Sequence, residues 1–533
     1  MRRSRAARWL TSVVALGLLT LLAPVLPPAA AQAPGTLVLG LDQEPPTLDP
    51  HASPSAVTYQ IIASVTENLV YKGPDGKLVP WLAESWTTAK DGRSVTFKLR
   101  RDVKFHDGTP FNADAVKFNF DRIVDPKFKA GSARAALAGY AGSKVLDEFS
   151  VQVSFETPFA PFLTYAASGP LSLVSPKAVR ESGDQVHTKP IGTGQFMIKE
   201  YVAKDHTTMV RTPDYKRKPP WSDRAGAAQL ETVIWKFIPE AGTRVTTLES
   251  GETQGVYNVP AQSLPRLEAN TALRIEKAPW PGVPRIWLLN VTKPPMDDVK
   301  VRRAINYAID KDAFLATVYK GTALKANAPL TTVMLDDPAL KKQAIPFDAA
   351  KAKALLGEAG WQPGADGIRT KGGQRLEIVL NAIEYGGGPD PTAQIIQASL
   401  QEVGIDVKIK AQARPPWYED NYRCATNGPV MFLRSTDPDG LFALFHGSLV
   451  GANFNWSCVK NPKLDAMLEQ GRRESDPAKR RAIYVSIEQL AIEEALTVPL
   501  VDELSVWAFR SGVQAVKYNF NAYPLLGDAT LRK

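Results

Sequence analysis

The sequence predicts an α/β protein with a large buried core, and three patterns support that prediction. Hydrophobic residues make up 44% of the 533 residues and charged residues 22%, which is typical of globular proteins. Between 376 and 434, strand-like and helix-like segments alternate, as in a mostly parallel sheet with helices on both faces. At 95–99 and 151–155, apolar and polar residues alternate, which indicates antiparallel strands with one wet face.

The first 31 residues are expected to be a signal peptide. Four arginines precede or border the uncharged run WLTSVVALGLLTLLAPVL, and small residues stand at Ala29 and Ala31, the spacing that an export peptidase needs. A membrane anchor is the alternative, because this run is nearly long enough to span a bilayer. The prolines and the Ala-x-Ala ending favour cleavage near Ala31, and therefore a periplasmic protein. The sequence leaves the export route, Sec or Tat, open.

Charge and cysteine content limit the partners of the mature chain. Loss of the four N-terminal arginines lowers the basic residues from 64 to 60, against 55 acidic ones, and no basic stripe is present. We therefore expect that the mature chain binds no nucleic acid. We also expect it to be a monomer. Cys424 and Cys458 could form one disulfide in an exported protein, but the sequence leaves their pairing open. Neither follows the signal segment, so no lipid anchor is expected.

The first part of the chain is predicted to contain isolated strands and a capped helix. GTLVLGL at 35–41 reads as a buried strand and is followed by the turn-rich DQEPPTLDPHASPS. The strands at 95–99 and 151–155 come later. Between them, Asn112 is predicted to cap a helix whose apolar residues recur at helical spacing.

The second part is predicted to alternate strand and helix. Asp297 or Asp298 should cap one helix, and Asp348 should cap another that stops at Gly360. In sheets of this kind, ligands bind beyond the carboxyl ends of the strands. The predicted order from 376 onward is strand 376–382, helix 391–404, strand 405–411, helix 416–425 and strand 429–433.

An arginine stands where the last of these strands ends. In FLRSTDPDGLF (432–442), Arg434 follows the apolar run, and Asp437 to Asp439 are predicted to form the cap and first turn of the next helix. Arg434 therefore occupies the kind of position that meets ligands in parallel sheets. The alternative is that Arg434 pairs with Asp437 or Asp439 and only shapes the turn.

The motifs of common enzymes are absent from the sequence. No Gly-x-Ser-x-Gly elbow, phosphate-binding loop or dinucleotide fingerprint is present. The five histidines are scattered, without the spacing of a metal site. We therefore expect no enzyme activity, no cofactor and no bound metal.

Aromatic residues in loop-like contexts are candidates for the walls of a binding pocket. Several tryptophans and tyrosines lie near predicted strand exits, although ordinary packing is the alternative for each of them. With Arg434, the candidate ligand-binding residues are Glu44, Tyr59, Tyr257, Tyr385, Trp417, Asn453 and Trp456.

Several segments, in order along the chain, resemble the peptide/nickel class of extracellular solute-binding proteins that serve ABC importers. The long segment LVPWLAESWTTAKDGRSVTFKLRRDVKFHDGTPFNADAVKFNFDRI is similar to the most specific landmark of that class. The similarity covers the chain from about residue 36 to near its end. The other similar segments are EPPTLDP, PIGTGQF, LLNVTKPPMDDVKVRRAINYAIDK, AKALLGEAGW, DPDGLF and NPKLDAMLEQGRRESDPAKRRAIY.

The resemblance implies a two-lobed clamp, type II-like and of cluster C, with an extra α+β subdomain inserted in the first lobe. Such a protein captures a small solute by hinge closure and delivers it to a membrane permease. The chain would cross to the second lobe near 279–289 and return near 498–502. The implied domains are signal peptide 1–31, lobe I 32–62, 186–278 and 499–533, inserted subdomain 63–185, and lobe II 279–498.

The resemblance also implies an unusual ligand. Peptide-binding members carry an aspartate at the position of Arg434, which pairs with the α-amine of the peptide. Dipeptide-binding members also carry an arginine for the ligand carboxylate where this chain has Ile383 or Glu384. We therefore expect an anionic or oxygen-rich ligand, such as a modified peptide, an opine, an acid or an oligosaccharide. The alternatives are a peptide receptor with altered anchors and an exported hydrolase.

Overall fold

A computed structural model of the chain describes residues 35–385 and 388–532, so the predicted signal peptide lies outside the described residues. Within these ranges, none of the helices is long and apolar enough to cross a membrane. The strands are β1 (Thr36–Leu41), β2 (Val70–Lys72), β3 (Leu78–Pro80), β4 (Ala83–Thr88), β5 (Ser94–Leu99), β6 (Tyr140–Asp147), β7 (Ser150–Phe155), β8 (Phe196–Val202), β9 (His206–Arg211), β10 (Thr232–Phe237), β11 (Gly255–Tyr257), β12 (Leu273–Pro279), β13 (Gly282–Leu288), β14 (Ala323–Lys325), β15 (Gln362–Pro363), β16 (Arg369–Lys371), β17 (Gln374–Arg375), β18 (Glu377–Tyr385), β19 (Gly388–Pro389), β20 (Asp406–Gln412), β21 (Val430–Arg434), β22 (Thr497–Arg510), β23 (Val513–Gln514), β24 (Lys517–Tyr518), β25 (Pro524–Leu525) and β26 (Thr530–Leu531).

The helices begin where polar side chains meet the free N–H groups of the first turn. The predicted caps of three helices are confirmed, because Asn112, Asp298 and Asp348 accept hydrogen bonds from N–H groups two or three residues later at 2.8–3.0 Å. The helices are α1 (Ala56–Ile62), α2 (Ala113–Val124), α3 (Ser132–Ala136), α4 (Phe162–Tyr165), α5 (Pro176–Ser182), α6 (Ala241–Ser250), α7 (Leu264–Glu268), α8 (Val299–Ala308), α9 (Lys311–Phe314), α10 (Pro338–Gln343), α11 (Ala349–Glu358), α12 (Pro391–Gln401), α13 (Arg414–Tyr422), α14 (Gly440–Phe445), α15 (Pro462–Arg473) and α16 (Pro477–Glu493).

Strand β22 is shared by the two halves of the largest sheet. Its first half pairs antiparallel with β13 and β14, and its second half with β11 and β12. The strand order is β21-β13-β22-β11-β1-β10-β9-β8, with β12 and β14 also on β22. Because β12 and β13 are separated by only Trp280 and Pro281, the chain passes between the halves at two adjacent places.

The predicted order of strand and helix between 376 and 434 is confirmed, but the predicted mostly parallel sheet forms only in part, because β21 pairs along its length with an antiparallel strand. Strands β18 and β20 are parallel, and α12 connects them. A parallel bridge between Asn381 and Pro429 places β21 on the other side of β18. Strand β21 then pairs antiparallel with β13, which joins this group to the large sheet.

The predicted antiparallel region forms a separate four-stranded sheet of order β4-β5-β7-β6. The residues Val95, Phe97 and Leu99 of β5 all point into a core, and their neighbours in β7 do the same. This alternation confirms the predicted wet and dry faces. Helix α2 covers the sheet through Val116, Phe120 and Ile123.

Several hydrophobic cores, rather than one, hold the described residues together. One core draws most of its residues from 69–173, and two draw theirs from 283–501. Two more lie along the strands of the first half of the large sheet. This distribution is consistent with a division into lobes and an inserted subdomain, whose exact limits stay a prediction.

Cys424 and Cys458, whose pairing the sequence left open, form a disulfide in the structure. Their Cα atoms are 6.3 Å apart, within the usual range for a disulfide. The bond ties the end of α13 to the loop that precedes α15.

Two buried ion pairs hold the turn between β21 and α14. Asp437 accepts hydrogen bonds from Arg480 at 2.6 and 2.9 Å, and Asp439 accepts from Arg472 at 2.7 and 2.9 Å. Helix α14 begins at Gly440, right after the predicted cap, but neither carboxylate bonds its N–H groups as a cap. The two carboxylates accept hydrogen bonds from Arg480 and Arg472 instead.

We expect Arg480→Met to lower the free energy of unfolding by about 3–5 kcal/mol, because it leaves the buried Asp437 carboxylate without its partner. Arg473→Met is the matched control. Arg473 pairs with an exposed glutamate, and we expect a loss below about 1 kcal/mol. Urea unfolding at pH 7 measures both, and equal losses would contradict the expectation.

Two buried carboxyl groups lie beside the segment 330–332. Asp502 accepts from the backbone N–H and hydroxyl of Thr332, both at 2.9 Å, and Glu488 accepts from the N–H of Leu330 at 2.7 Å. The second oxygen of each carboxyl group has no hydrogen-bond partner among the described residues. Burial raises the pKa of Asp502 to about 6 and raises the pKa of Glu488 well above its ordinary value.

We expect Asp502→Asn to flatten the pH dependence of stability. Since the pKa of Asp502 is higher in the folded chain, the folded chain binds more protons between about pH 4 and 6. Stability is then lost as the pH rises through that window, by on the order of 3 kcal/mol for this group. The check is urea unfolding of wild type and variant at pH 4.5 and 7.5. The same pH dependence in both proteins would refute the assignment.

Candidate functional site

Arg434 lies at the end of β21, beside the crossover between the two halves of the large sheet. Its backbone partner is Gly282, where a Cβ atom would stand 2.3 Å from the carbonyl oxygen of Leu433. Glycine therefore permits the close approach of the two strands. The Arg434 guanidinium lies over the ring of Trp280, 3.9 Å from its centroid, and 26% of the side chain is accessible.

The carboxylate nearest to Arg434 is Glu503 on β22. One Glu503 oxygen lies 3.6 Å from Nη2 of Arg434, beyond hydrogen-bond distance. The other oxygen accepts from Arg285 at 2.6 Å, and Arg285 also donates to Asp390 at 2.6 Å. Burial raises the pKa of Glu503, but the attraction of Arg285 and Arg434 outweighs it and lowers the pKa below its ordinary value.

The alternative in which Arg434 pairs with Asp437 or Asp439 is wrong, because both carboxylates are already bound by arginines from α15 and α16. The Arg434 guanidinium makes no hydrogen bond to another of the described residues. Its contacts there are the Trp280 and Phe432 rings and the long contact to Glu503. Its N–H groups can therefore bond an acceptor that enters the cleft.

Two tyrosines complete the surroundings of Arg434. The ring centroid of Trp280 lies 6.4 Å from that of Tyr257 and 5.7 Å from that of Tyr523. Burial raises the pKa of both tyrosines, and the charge of Arg434 acts in the opposite direction on each. Of the residues predicted from sequence, Tyr257 is thus placed together with Arg434.

Tyr59 and Glu44 are held by other parts of the structure. Tyr59 is buried, and its hydroxyl donates to the carbonyl of Ser53 at 2.7 Å. Glu44 accepts from the hydroxyl of Tyr201 and from the backbone of Lys204, so it anchors the hairpin of β8 and β9. Neither contact involves Arg434, although Tyr59 also lines a small cavity together with Lys72 and Thr436.

Trp417 and Trp456 pack against each other in the core. Their exposed fractions are 3% and 2%, and their ring centroids are 5.0 Å apart. A ligand could reach these rings only if the aromatic cluster opened. Asn453 is half-buried and bonds the backbone of its own neighbour, Phe454. For Tyr385 the structure describes the backbone but not the side chain, so its predicted role stays a prediction.

Contacts from the region 63–185 meet the segment that follows Arg434. Lys72 donates to the carbonyl of Thr436 at 2.7 Å, and its ammonium lies 3.7 Å from the ring centroid of Phe520. The backbone N–H of Ala160 donates to the carbonyl of Arg472 at 2.7 Å. These contacts join the region 63–185 to the turn after Arg434 and to the end of α15.

Sequence reasoning missed Arg285, Glu503, Trp280 and Lys72. A signal for the first two was present, because Arg285 is the one charged residue of its strand and Glu503 lies between apolar residues and a second carboxylate in a largely buried strand. Charges in such strands are paired when buried. Among the residues that the structure describes, no group of three or more His, Cys, Asp or Glu side chains is placed to hold a metal ion.

Comparison with known proteins identifies the family. Residues 77–448 match the model of the bacterial extracellular solute-binding proteins, family 5. The glutathione-binding protein GsiB of Pectobacterium atrosepticum is 29% identical over 449 residues, which cover 82% of this chain and 83% of that protein.

Solved structures show the same architecture. NikA of Brucella suis in complex with Fe(III)-EDTA is 28% identical, with a TM-score of 0.81 over 93% of this chain and all of that one. The binding protein AgaA of A. tumefaciens R10 in complex with agropinic acid is 26% identical, with a TM-score of 0.76 over 93% of this chain and 99% of that one. The family match, together with the fold of these two-lobed proteins, confirms the resemblance: this chain belongs to the family 5 bacterial extracellular solute-binding proteins, the ligand-capturing components of ABC importers.

Proposed function

We propose that this chain captures an anionic, oxygen-rich solute in the cleft at Arg434 and delivers it to the permease of an ABC importer. It acts by binding and release, without turnover and without a cofactor. The observation that carries the proposal is the guanidinium of Arg434, which is stacked on Trp280 at the strand end and makes no hydrogen bond within the described part of the chain.

The sign of the charge at this position decides which ligand groups are favoured. A ligand ammonium beside Arg434 would meet a like charge in a partly desolvated place, which is costly. A carboxylate would instead gain charge-assisted hydrogen bonds from the planar guanidinium. Stacking on Trp280 holds the guanidinium in place, so less side-chain entropy is lost when a ligand binds.

The ligands of three relatives support the choice of an acid. Glutathione, agropinic acid and EDTA are carboxylates rich in oxygen, and these are the molecules named with the relatives of highest identity described above. Glutathione is also a modified peptide. Glutathione therefore supports a second candidate function, a receptor for peptides. In such a receptor the amine of the peptide would be recognised at a place other than Arg434.

The two adjacent connections between the halves of the sheet support hinge closure as the mechanism. Strand β22 and the β12–β13 junction can bend together, because both cross at the same place. Ligand that touches both sides of the cleft would favour the closed form by its higher affinity for that form. The hydrogen bond from Lys72 to the carbonyl of Thr436 supports a closed form, because it joins the region 63–185 to the segment after Arg434.

We further propose that the protein works as a monomer in the periplasm after cleavage near Ala31. The basic start, the apolar run and the small residues before the cleavage point support export. The disulfide between Cys424 and Cys458 fits an oxidising compartment. Intact mass spectrometry of protein secreted to the periplasm checks the cleavage point.

We expect Arg434→Gln to lower the affinity for the best-binding acid about 10- to 100-fold, the range for hydrogen bonds that involve a charged group. Calorimetric titration with glutathione, agropinic acid, Fe(III)-EDTA and the dipeptide Met-Leu measures this. Arg473→Gln is the control, because the Arg473 side chain is exposed and pairs with Glu469 rather than with a residue around Arg434. Unchanged affinity in Arg434→Gln, or a preference for Met-Leu over every acid, would overturn the proposal.

We expect Glu503→Gln to raise the affinity for the same acid several-fold. Glu503 is the carboxylate that competes with a ligand anion for Arg434, and glutamine still accepts a hydrogen bond from Arg285. The affinity is measured by titration at low and at moderate salt, since the gain should shrink as salt screens the charges. A loss of affinity at both salt concentrations would contradict this role for Glu503.

A further inference from the structure

A small cavity lies next to the Arg434 cleft and is lined by residues from distant parts of the chain. It encloses about 50 Å³. Since one water needs about 10–15 Å³, the space suits a single small group of atoms rather than a whole ligand. Six of its lining residues carry the argument: Tyr71, Lys72, Trp81, Trp221, Thr436 and Tyr523.

Three of these residues bring polar atoms that lack a partner. The hydroxyl of Tyr71 and the indole N–H groups of Trp81 and Trp221 are buried, and none bonds another described residue. Their rings form one cluster, with Trp221 5.1 Å from Tyr71 and 5.2 Å from Trp81 between centroids. Buried donors are rarely left unpaired in native proteins. Three in the wall of one cavity indicate a missing acceptor.

The charges around the cavity favour a negative group. Lys72 lines it and spends one of its three N–H bonds on the Thr436 carbonyl at 2.7 Å. Glu67 also lines it, but its carboxylate already accepts from Thr193, Tyr215 and Arg217 at 2.5–2.8 Å. The Glu67 carboxylate is therefore satisfied, whereas the hydroxyl of Tyr71 and the two indole N–H groups have no partner among the described residues and the Lys72 ammonium keeps N–H groups to donate.

The cavity is linked to the surroundings of Arg434 by two of its lining residues, Tyr523 and Thr436. Tyr523 lines the cavity, and its ring lies 5.7 Å from that of Trp280, on which Arg434 is stacked. Thr436, two residues beyond Arg434, lines it from the other side of the cleft. A group bound here would therefore be covered when the cleft closes.

We propose that this cavity is a second acceptor subsite, which holds a carboxylate or an equally strong acceptor oxygen of the same solute whose first acidic group meets Arg434. The inference rests on the proposed function and sharpens it. The solute then carries two acceptor groups, one for the guanidinium and one for the tyrosine and indole donors. A ligand with a single carboxylate and no second acceptor would bind either at Arg434 or in the cavity, but not at both.

The test compares Tyr71→Phe with Tyr307→Phe as the control. Tyr71→Phe removes one hydroxyl donor and keeps the ring. Tyr307 is on α8, where it contacts Lys351 of α11, and it does not line the cavity. We expect Tyr71→Phe to lower the affinity for glutathione, or for whichever of the three acids binds, about tenfold. The stability of the ligand-free protein should not fall, because the hydroxyl that is removed has no protein partner. A purely structural tyrosine would lose stability instead.

Titration with acetate tests whether a free carboxylate binds the subsite without the rest of a solute. If acetate binds wild type and Arg434→Gln but not Tyr71→Phe, the subsite binds carboxylates by itself. Loss of acid binding in Arg434→Gln but not in Tyr71→Phe would overturn the subsite and leave the proposed function standing. If none of the acids binds wild type, the subsite and the proposed function are both wrong.

Discussion

The shared strand β22 is the constraint on which the rest of the structure depends. One half of it pairs with β13 and the other with β12, so both sides of the cleft are parts of one hydrogen-bonded sheet. Glu503 lies near the point where the pairing changes, and Trp280 lies at the neighbouring crossover. The residues that surround Arg434 are therefore held by the same backbone that would bend when the cleft closes.

The distribution of buried charge explains why Arg434 remains available. Each nearby carboxylate has a closer arginine: Asp437 has Arg480, Asp439 has Arg472, and Glu503 has Arg285. Buried carboxylates need such partners, because an unpaired buried charge is costly. Arg434 is left with aromatic stacking and a long ionic contact. The guanidinium therefore keeps its hydrogen-bond donors free of partners among the described residues.

Local features of the fold were well predicted, and the pairing of side chains in the cleft was not. The caps Asn112, Asp298 and Asp348 and the alternation in β5 follow from interactions within a few residues. The tryptophans 417 and 456 show the limit of that reasoning, because a loop-like sequence context did not reveal that both rings are buried. Whether an aromatic residue lines a cleft or fills a core depends on packing between distant segments.

The sequence by itself determined the family and the strand and helix order around Arg434. Its motifs are contiguous, and periodicity and capping act over short distances. Only the tertiary structure decided that Arg434 meets Trp280 and Glu503 rather than Asp437 or Asp439. Only it placed the donors of Tyr71, Trp81 and Trp221 around one cavity. These contacts join residues far apart in the chain, and their geometry depends on how the strands and helices pack together.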